Sequence, residues 1–206
     1  MRIDPMLAAA ALLALAMDAV QAAIPPTAPQ LPPGAVNAEG LRDHDYRSPP
    51  PPSVAEATTI DTAELRQLMA EWGERLVLLD VMAVPKRPPA PGQSGGGSWI
   101  PNKVRQHIAG SVWLPNVGYA RLPPEMEQFY REHLERLSGG DMQRPIVLYC
   151  LEDCWMSWNA VRRAARYGYR NLYWYRAGTD GWQRAGLPLI EAEPVPPPEA
   201  AAKQAQ

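Results

Sequence analysis

Apolar positions along this chain fall in short blocks whose spacing switches between helical and extended. Asp61 can cap a helix, Glu64 stands three residues later as in a capping box, and Leu65, Leu68, Met69 and Trp72 share one face. Gly73 ends that pattern. Leu76-Val77-Leu78-Leu79 is a continuous apolar run ending at Asp80, as in a strand covered on both faces. Ser111 to Leu114 is a second strand candidate, stopped by Pro115. A second helix carries Met126, Phe129, Tyr130, His133, Leu134 and Leu137 on one stripe, with Gly139-Gly140 as terminator. Ile146-Val147-Leu148-Tyr149 is the next buried strand, running straight into Cys150. A third helix, Met156 to Tyr167, turns Ala160, Val161, Ala164 and Ala165 inward and Arg162, Arg163 and Arg166 outward. Leu172 to Tyr175 is the last strand. Short buried strands alternating with helices predict an α/β fold with a mainly parallel sheet.

The flanks differ in kind. Met6 to Met17 contains only Met, Ala and Leu, and Val20-Gln21-Ala22 follows, which reads as a signal peptide cleaved after Ala22. The apolar run is shorter than the roughly 20 residues of a membrane span, and Asp18 interrupts it, so no span is expected after cleavage. Export to a bacterial periplasm follows as the expectation. Residues 23–57 form a proline-rich extension expected to be extended and largely coreless, and residues 191–206 form a Pro/Ala-rich tail. The folded unit is then expected over residues 58–190 of the 206. A net charge of −2 argues against a nucleic-acid partner. Two cysteines exclude both a disulfide-framework mini-protein and a four-Cys zinc module.

Those two cysteines sit where chemistry is expected. In an open α/β sheet, sites form where strand carboxyl ends meet helix amino ends, and Tyr149 to Trp158 occupies such a junction. A sulfur there faces free backbone N–H groups and the positive end of a helix dipole, which favour the nucleophilic thiolate. Glu152 and Asp153 work against this by adding negative charge. Cys150 is expected to be the more reactive thiol, because Cys154 lies a turn further on. Positions four apart on a helical turn are close enough for a reversible disulfide. Two buried structural cysteines remain the competing reading. His44, His107 and His133 show no paired ligand spacing, so no metal is expected, and His133 fits a helix face.

The series Leu79-Asp80-Val81, His107-Ile108-Ala109-Gly110-Ser111, Ile146 to Cys150, Tyr167-Gly168-Tyr169, Gly178 to Trp182 and Gly186-Leu187-Pro188 resembles a single rhodanese-like domain. More narrowly, Cys154-Trp155 after Cys150, with Trp174-Tyr175, is similar to a rhodanese-like family named for a Cys-x-x-Cys-Trp motif and associated with PQQ-dependent catabolism; the spacing here is Cys-x₃-Cys-Trp. The resemblance implies a mainly parallel five-stranded sheet flanked by helices. It also implies a sulfur-accepting role for Cys150, with Cys154 as a resolving thiol. Leu151, Glu152, Asp153 and Trp155 of the loop, together with Asp80, would then surround a small anionic or thiol sulfur donor or acceptor. A periplasmic quinoprotein dehydrogenase is the implied protein partner, and no cofactor is implied for the chain itself. A sulfurtransferase loop usually carries a Gly and an Arg after its Cys. Asp153, Cys154 and Trp155 stand there instead, which suits thiosulfate less well than thiol–disulfide or persulfide exchange.

Two further features colour this reading. No acidic residue lies between Asp80 and Glu125, whereas Lys86, Arg87, Lys103, Arg105 and Arg121 do, so solvated loop charge competes with an anion-attracting edge. Nine of the sixteen aromatic residues fall between Tyr149 and Trp182, enough to supply both core and the wall of a pocket at the cysteines. Two functions compete: a sulfurtransferase or thiol–disulfide exchanger using both cysteines, and a non-catalytic accessory module whose Cys150–Cys154 bond is a structural lock.

Overall fold

The structure, a computed structural model, describes residues 31–87, 98–101 and 103–198. The expected leader, residues 1–22, lies outside the described residues. In chain order the elements are β1 (Thr58–Ile60), α1 (Thr62–Trp72), β2 (Val77–Asp80), β3 (Lys86–Arg87), β4 (Ser98–Trp99), β5 (Arg105–His107), β6 (Ser111–Trp113), α2 (Pro124–Ser138), β7 (Ile146–Tyr149), α3 (Trp155–Arg166), β8 (Leu172–Tyr175), α4 (Gly178–Arg184) and β9 (Ile190–Ala192).

Five strands form one sheet in the order β1-β8-β7-β2-β6, and every neighbouring pair in it is parallel. Because helices cover both faces, the strands need apolar residues at successive positions rather than alternate ones. Val77, Leu79, Ile146, Leu148, Leu172 and Trp174 pack on one side with Phe129, Tyr130 and Leu134 of α2 and Val161 of α3. Leu78, Val147, Tyr149 and Tyr175 pack on the other with Leu65 of α1 and Trp182 of α4. Asp61 caps α1 with the reciprocal Glu64 bond, and Gly73 follows its end, as expected from the sequence. On α2, His133 Nδ1 donates to the Phe129 carbonyl at 2.7 Å, a helix-face role.

The proline-rich stretch departs from its expectation. Residues 31–57 are not coreless: Leu41 is fully buried, and Ala35 and Val54 are nearly so. Asn159 of α3 binds this strap in both directions, accepting from Arg42 N–H at 2.9 Å and donating to the Arg42 carbonyl at 2.8 Å. Trp158 Nε1 donates to the Ser53 carbonyl, and Glu56 pairs with Arg162 at 2.9 Å. A chain with few N–H groups of its own can still be held this way, because its carbonyls accept from side chains. The strap covers the side of α3 that an isolated helix would turn to water. Arg163, expected outward, is buried by a different segment, the chain between β6 and α2, where its guanidinium donates to the carbonyls of Tyr119 and Ala120. The start of the C-terminal tail also docks: β9 pairs antiparallel with β5, and Trp99 Nε1 donates to the Val195 carbonyl.

Candidate functional site

The site grows from the carboxyl end of β7. Tyr149, last residue of the strand, is locked in place by its hydroxyl, which accepts from Ile108 N–H at 3.1 Å and shares a 2.6 Å bond with Ser111. The chain then leaves the sheet as the loop Cys150 to Cys154 and enters α3. Four residues hold the loop. The Cys150 carbonyl accepts from Thr179 N–H at 3.1 Å and faces Arg105 Nη2 at 3.4 Å. Glu152 N–H donates to Asp180 Oδ2 at 2.9 Å. Gly178, at φ +55°, lets the start of α4 press against the loop; a Cβ there would stand 2.6 Å from the Cys150 oxygen.

Both cysteines are free and buried. Cys150 Sγ is ringed by oxygen: the Ser157 hydroxyl at 3.4 Å, the Cys154 carbonyl at 3.5 Å and the Leu151 carbonyl at 3.7 Å. The Ser157 oxygen also accepts from Trp174 Nε1 at 3.0 Å. Complete burial, together with a hydrogen bond donated to Cys154, pushes the Cys150 thiol well above its ordinary range. Cys154 occupies the N-cap position of α3, and the N–H groups of Met156 and Leu151 face its sulfur without closing full capping bonds. The bond from Cys150 is the main cause that lowers it to about 6, with these N–H groups and Arg47 assisting against burial. Backbone N–H groups face both sulfurs, that of Ser157 at Cys150 and those of Met156 and Leu151 at Cys154.

The surrounding residues divide. Trp155 packs against the strap: its N–H donates to the Tyr46 carbonyl at 2.9 Å, its Nε1 to Ser48 Oγ at 3.1 Å, and the Arg42 guanidinium lies 4.9 Å above its ring. It also lines an open cavity of about 500 Å³ with Arg42, Ser48 and Pro49 to Pro52. Glu152 is occupied by Arg184 through two bonds of 2.7 and 2.8 Å, which hold its carboxyl below the usual range and screen its charge from the sulfurs. Leu151 is half-buried and Asp153 exposed.

Asp80 stands apart from the expected substrate surround. It is fully buried, accepts from Arg105 Nε at 2.8 Å and Nη2 at 3.1 Å, and also accepts from Met82 N–H. Burial pushes its carboxyl up while Arg105 pulls it down, and the two-bonded geometry is that of an ion pair. Through Arg105 it is linked to the Cys150 carbonyl. His107 Nδ1 lies buried without a hydrogen bond, 4.0 Å from Asp80. Among the described residues no group of three or more His, Cys, Asp or Glu side chains is placed to hold a metal.

Sequence reasoning missed Arg105, Tyr46 and Ser48 as members of this neighbourhood. Arg105 was visible only as loop charge. For the strap, the signal was a handful of large apolar residues, Leu41, Tyr46 and Val54, scattered among the prolines.

A parallel five-stranded sheet with a cysteine loop between β7 and α3 defines the class of protein. A family profile for the rhodanese-like domain matches residues 61–185, and the chain belongs to that family. Among solved structures it is similar to the polysulfide-sulfur transferase homodimer of Wolinella succinogenes, at 18% identity and TM-score 0.38, covering 66% of this chain and 80% of that one. It is also similar to the human single-domain sulfurtransferase TSTD1, at 21% identity and TM-score 0.38, covering 62% of this chain and 96% of that one. For the 3-mercaptopyruvate sulfotransferase SseA of Escherichia coli the values are 16% and 0.46, covering 69% of this chain and 53% of that one. Comparison with curated proteins returns no match.

Proposed function

We propose that this chain is an exported sulfurtransferase that moves sulfane sulfur through Cys150 and Cys154 and serves PQQ-dependent alcohol catabolism. The observation that carries the reading is the thiol pair itself: two free, buried cysteines on the loop between β7 and α3 of a rhodanese-like domain, with Cys150 Sγ 3.5 Å from the Cys154 carbonyl. The leader-like residues 1–22 support export to the periplasm, and the similarity around Cys154-Trp155 supports the association with a quinoprotein dehydrogenase.

In this reaction a thiolate of the pair attacks the terminal sulfur of a persulfide donor R–S–SH. The new S–S bond forms on the protein, the old one breaks, and R–S⁻ leaves. An acceptor thiolate then takes the same sulfur and restores the protein thiolate, with no net oxidation. The test supplies inorganic polysulfide to the reduced full chain and reads bound sulfur by intact mass and transfer to a small thiol. Wild type should gain and pass on sulfur, while the Cys150→Ser/Cys154→Ser double variant should do neither. Equal behaviour of the two proteins overturns the reading.

One observation favours the accessory-module alternative: both sulfurs are sealed beneath neighbouring side chains. In that case wild type takes up no sulfur, and the partner dehydrogenase binds wild type and the double variant alike.

A further inference from the structure

Cys150 is 0% and Cys154 1% exposed, yet sulfur transfer requires one of them to meet a donor. The covers of the cysteine loop differ in how firmly they are held. Toward the core, both cysteines pack with residues of β2, β7 and α3. On the α4 side, the Gly178 backbone presses on the loop. Tyr119, whose hydroxyl is pushed up by burial and by the nearby Tyr46 and Cys154, lies on the chain between β6 and α2. That chain is clamped to α3. Asn159 donates to the Gly118 carbonyl at 2.8 Å, Arg163 donates to the next two carbonyls at 2.7 and 2.9 Å, and a Cβ at Gly118 would stand 2.1 Å from the Met156 oxygen. These covers cannot withdraw without disturbing the core.

The strap is held differently along its length. At one end Leu41 is fully buried and Asn159 grips the Arg42 backbone in both directions. At the other, Arg176 donates to the carbonyls of Pro50 and Pro51, and Val54 is buried. Among the described residues, the hydrogen bonds that leave the strap from the stretch 43–49 run through Tyr46 and Ser48. The Tyr46 carbonyl accepts from Trp155 N–H at 2.9 Å, on the peptide that follows Cys154, and its hydroxyl accepts from Ala120 N–H at 3.1 Å. Ser48 Oγ accepts from Trp155 Nε1 at 3.1 Å. The Tyr46 ring stands edge-on to Tyr119 at 5.2 Å. Asp43, His44, Asp45, Arg47 and Pro49 are exposed, and Asp45 takes φ +41°, a left-handed turn that costs the closed form backbone energy. A segment with few buried contacts between two firm anchors opens at far lower cost than the core.

Resting on the proposed sulfur transfer, we propose that residues 43–49 are a gate over the cysteine pair, closed by Tyr46 against Tyr119 and Trp155, and that a sulfur donor reaches the sulfurs only when this stretch lifts between its two anchors. Arg42 and Pro50 are the hinges, and Tyr119, held by the Arg163 clamp, is the fixed post. Reaction at the sulfurs then runs at the rate of an accessible thiol multiplied by the open fraction, so loosening Tyr46 speeds every reagent that attacks them.

The test follows iodoacetamide labelling of both cysteines in the reduced full chain by mass spectrometry, beside amide hydrogen exchange under the same conditions. Tyr46→Ala loses the ring contact and the bond from Ala120, and should raise the labelling rate by about tenfold. Tyr46→Phe keeps the ring and should raise it less. The amides of Val147 and Leu148 in β7 should keep their wild-type protection in both variants, and the Trp155 amide, released with the gate, should exchange faster in step with labelling. Labelling unchanged in Tyr46→Ala overturns the gate. So does labelling that rises by the same factor as exchange in β7, because the cysteines are then reached only by unfolding. With inorganic polysulfide in place of iodoacetamide, Tyr46→Ala should take up sulfur faster than wild type by a similar factor. Labelling that rises while no form takes up sulfur removes the transfer reading and leaves a gated thiol pair.

Discussion

At the scale of single residues, the site turns on where two protons sit. Cys154 is pulled down to about 6 chiefly by the hydrogen bond from Cys150, so its alkylation rate should rise through a midpoint near pH 6 and level off above it. Removing the donor with Cys150→Ala should move that midpoint upward, while Cys150→Ser, which keeps a hydroxyl donor, should move it less. A pH series of labelling rates by mass spectrometry checks both, and a midpoint indifferent to residue 150 would deny the shared hydrogen bond. Asp80 and Arg105 show the other residue-scale effect. Their charges are buried together, so removing one partner leaves the other uncompensated. Asp80→Ala should cost about 3–5 kcal/mol in urea unfolding, and Asp80→Leu combined with Arg105→Met should recover much of it.

At the scale of elements, the loop keeps its shape because α4 is pressed against it. Gly178 is the contact point, at φ +55°, and a side chain there meets both the left-handed backbone penalty and the Cys150 and Leu151 backbone atoms. Gly178→Ala should therefore destabilise the fold by about 1–3 kcal/mol and move the Cys154 alkylation midpoint toward that of an ordinary thiol. Calorimetry with the same labelling series separates the two effects. An unchanged midpoint with lowered stability would mean that α4 supports the fold without shaping the site.

At the scale of the whole molecule, the strap belongs to the folded unit although it precedes the first strand. It buries Leu41 and Val54, satisfies Asn159, and seals the side of α3 that carries Trp155 and Trp158. A chain beginning at residue 58 should lose most of its stability and expose these indoles, seen as red-shifted tryptophan emission and binding of a hydrophobic dye. A truncated chain as stable as the full one would make the strap an ornament of the surface. Among the described residues no helix is long and apolar enough to cross a membrane.

The sequence by itself determined the parts whose physics is local. The Asp61–Glu64 cap, the buried runs of β2 and β7, the length of β8 and the glycine after α2 were readable because caps, periodicity and turn chemistry depend on residues a few positions apart. The cysteine loop was readable too, as a strand end followed by a helix start. Tertiary structure alone decided what holds the cysteine loop, because Arg105 comes from β5 and the strap residues bonded to Trp155 lie more than a hundred positions earlier in the chain. It also decided the fate of Arg163 and of the proline-rich stretch. An outward face on α3 is outward only if nothing covers it, and the covering chain satisfies its carbonyls through side chains of α3, a pairing that no local pattern encodes.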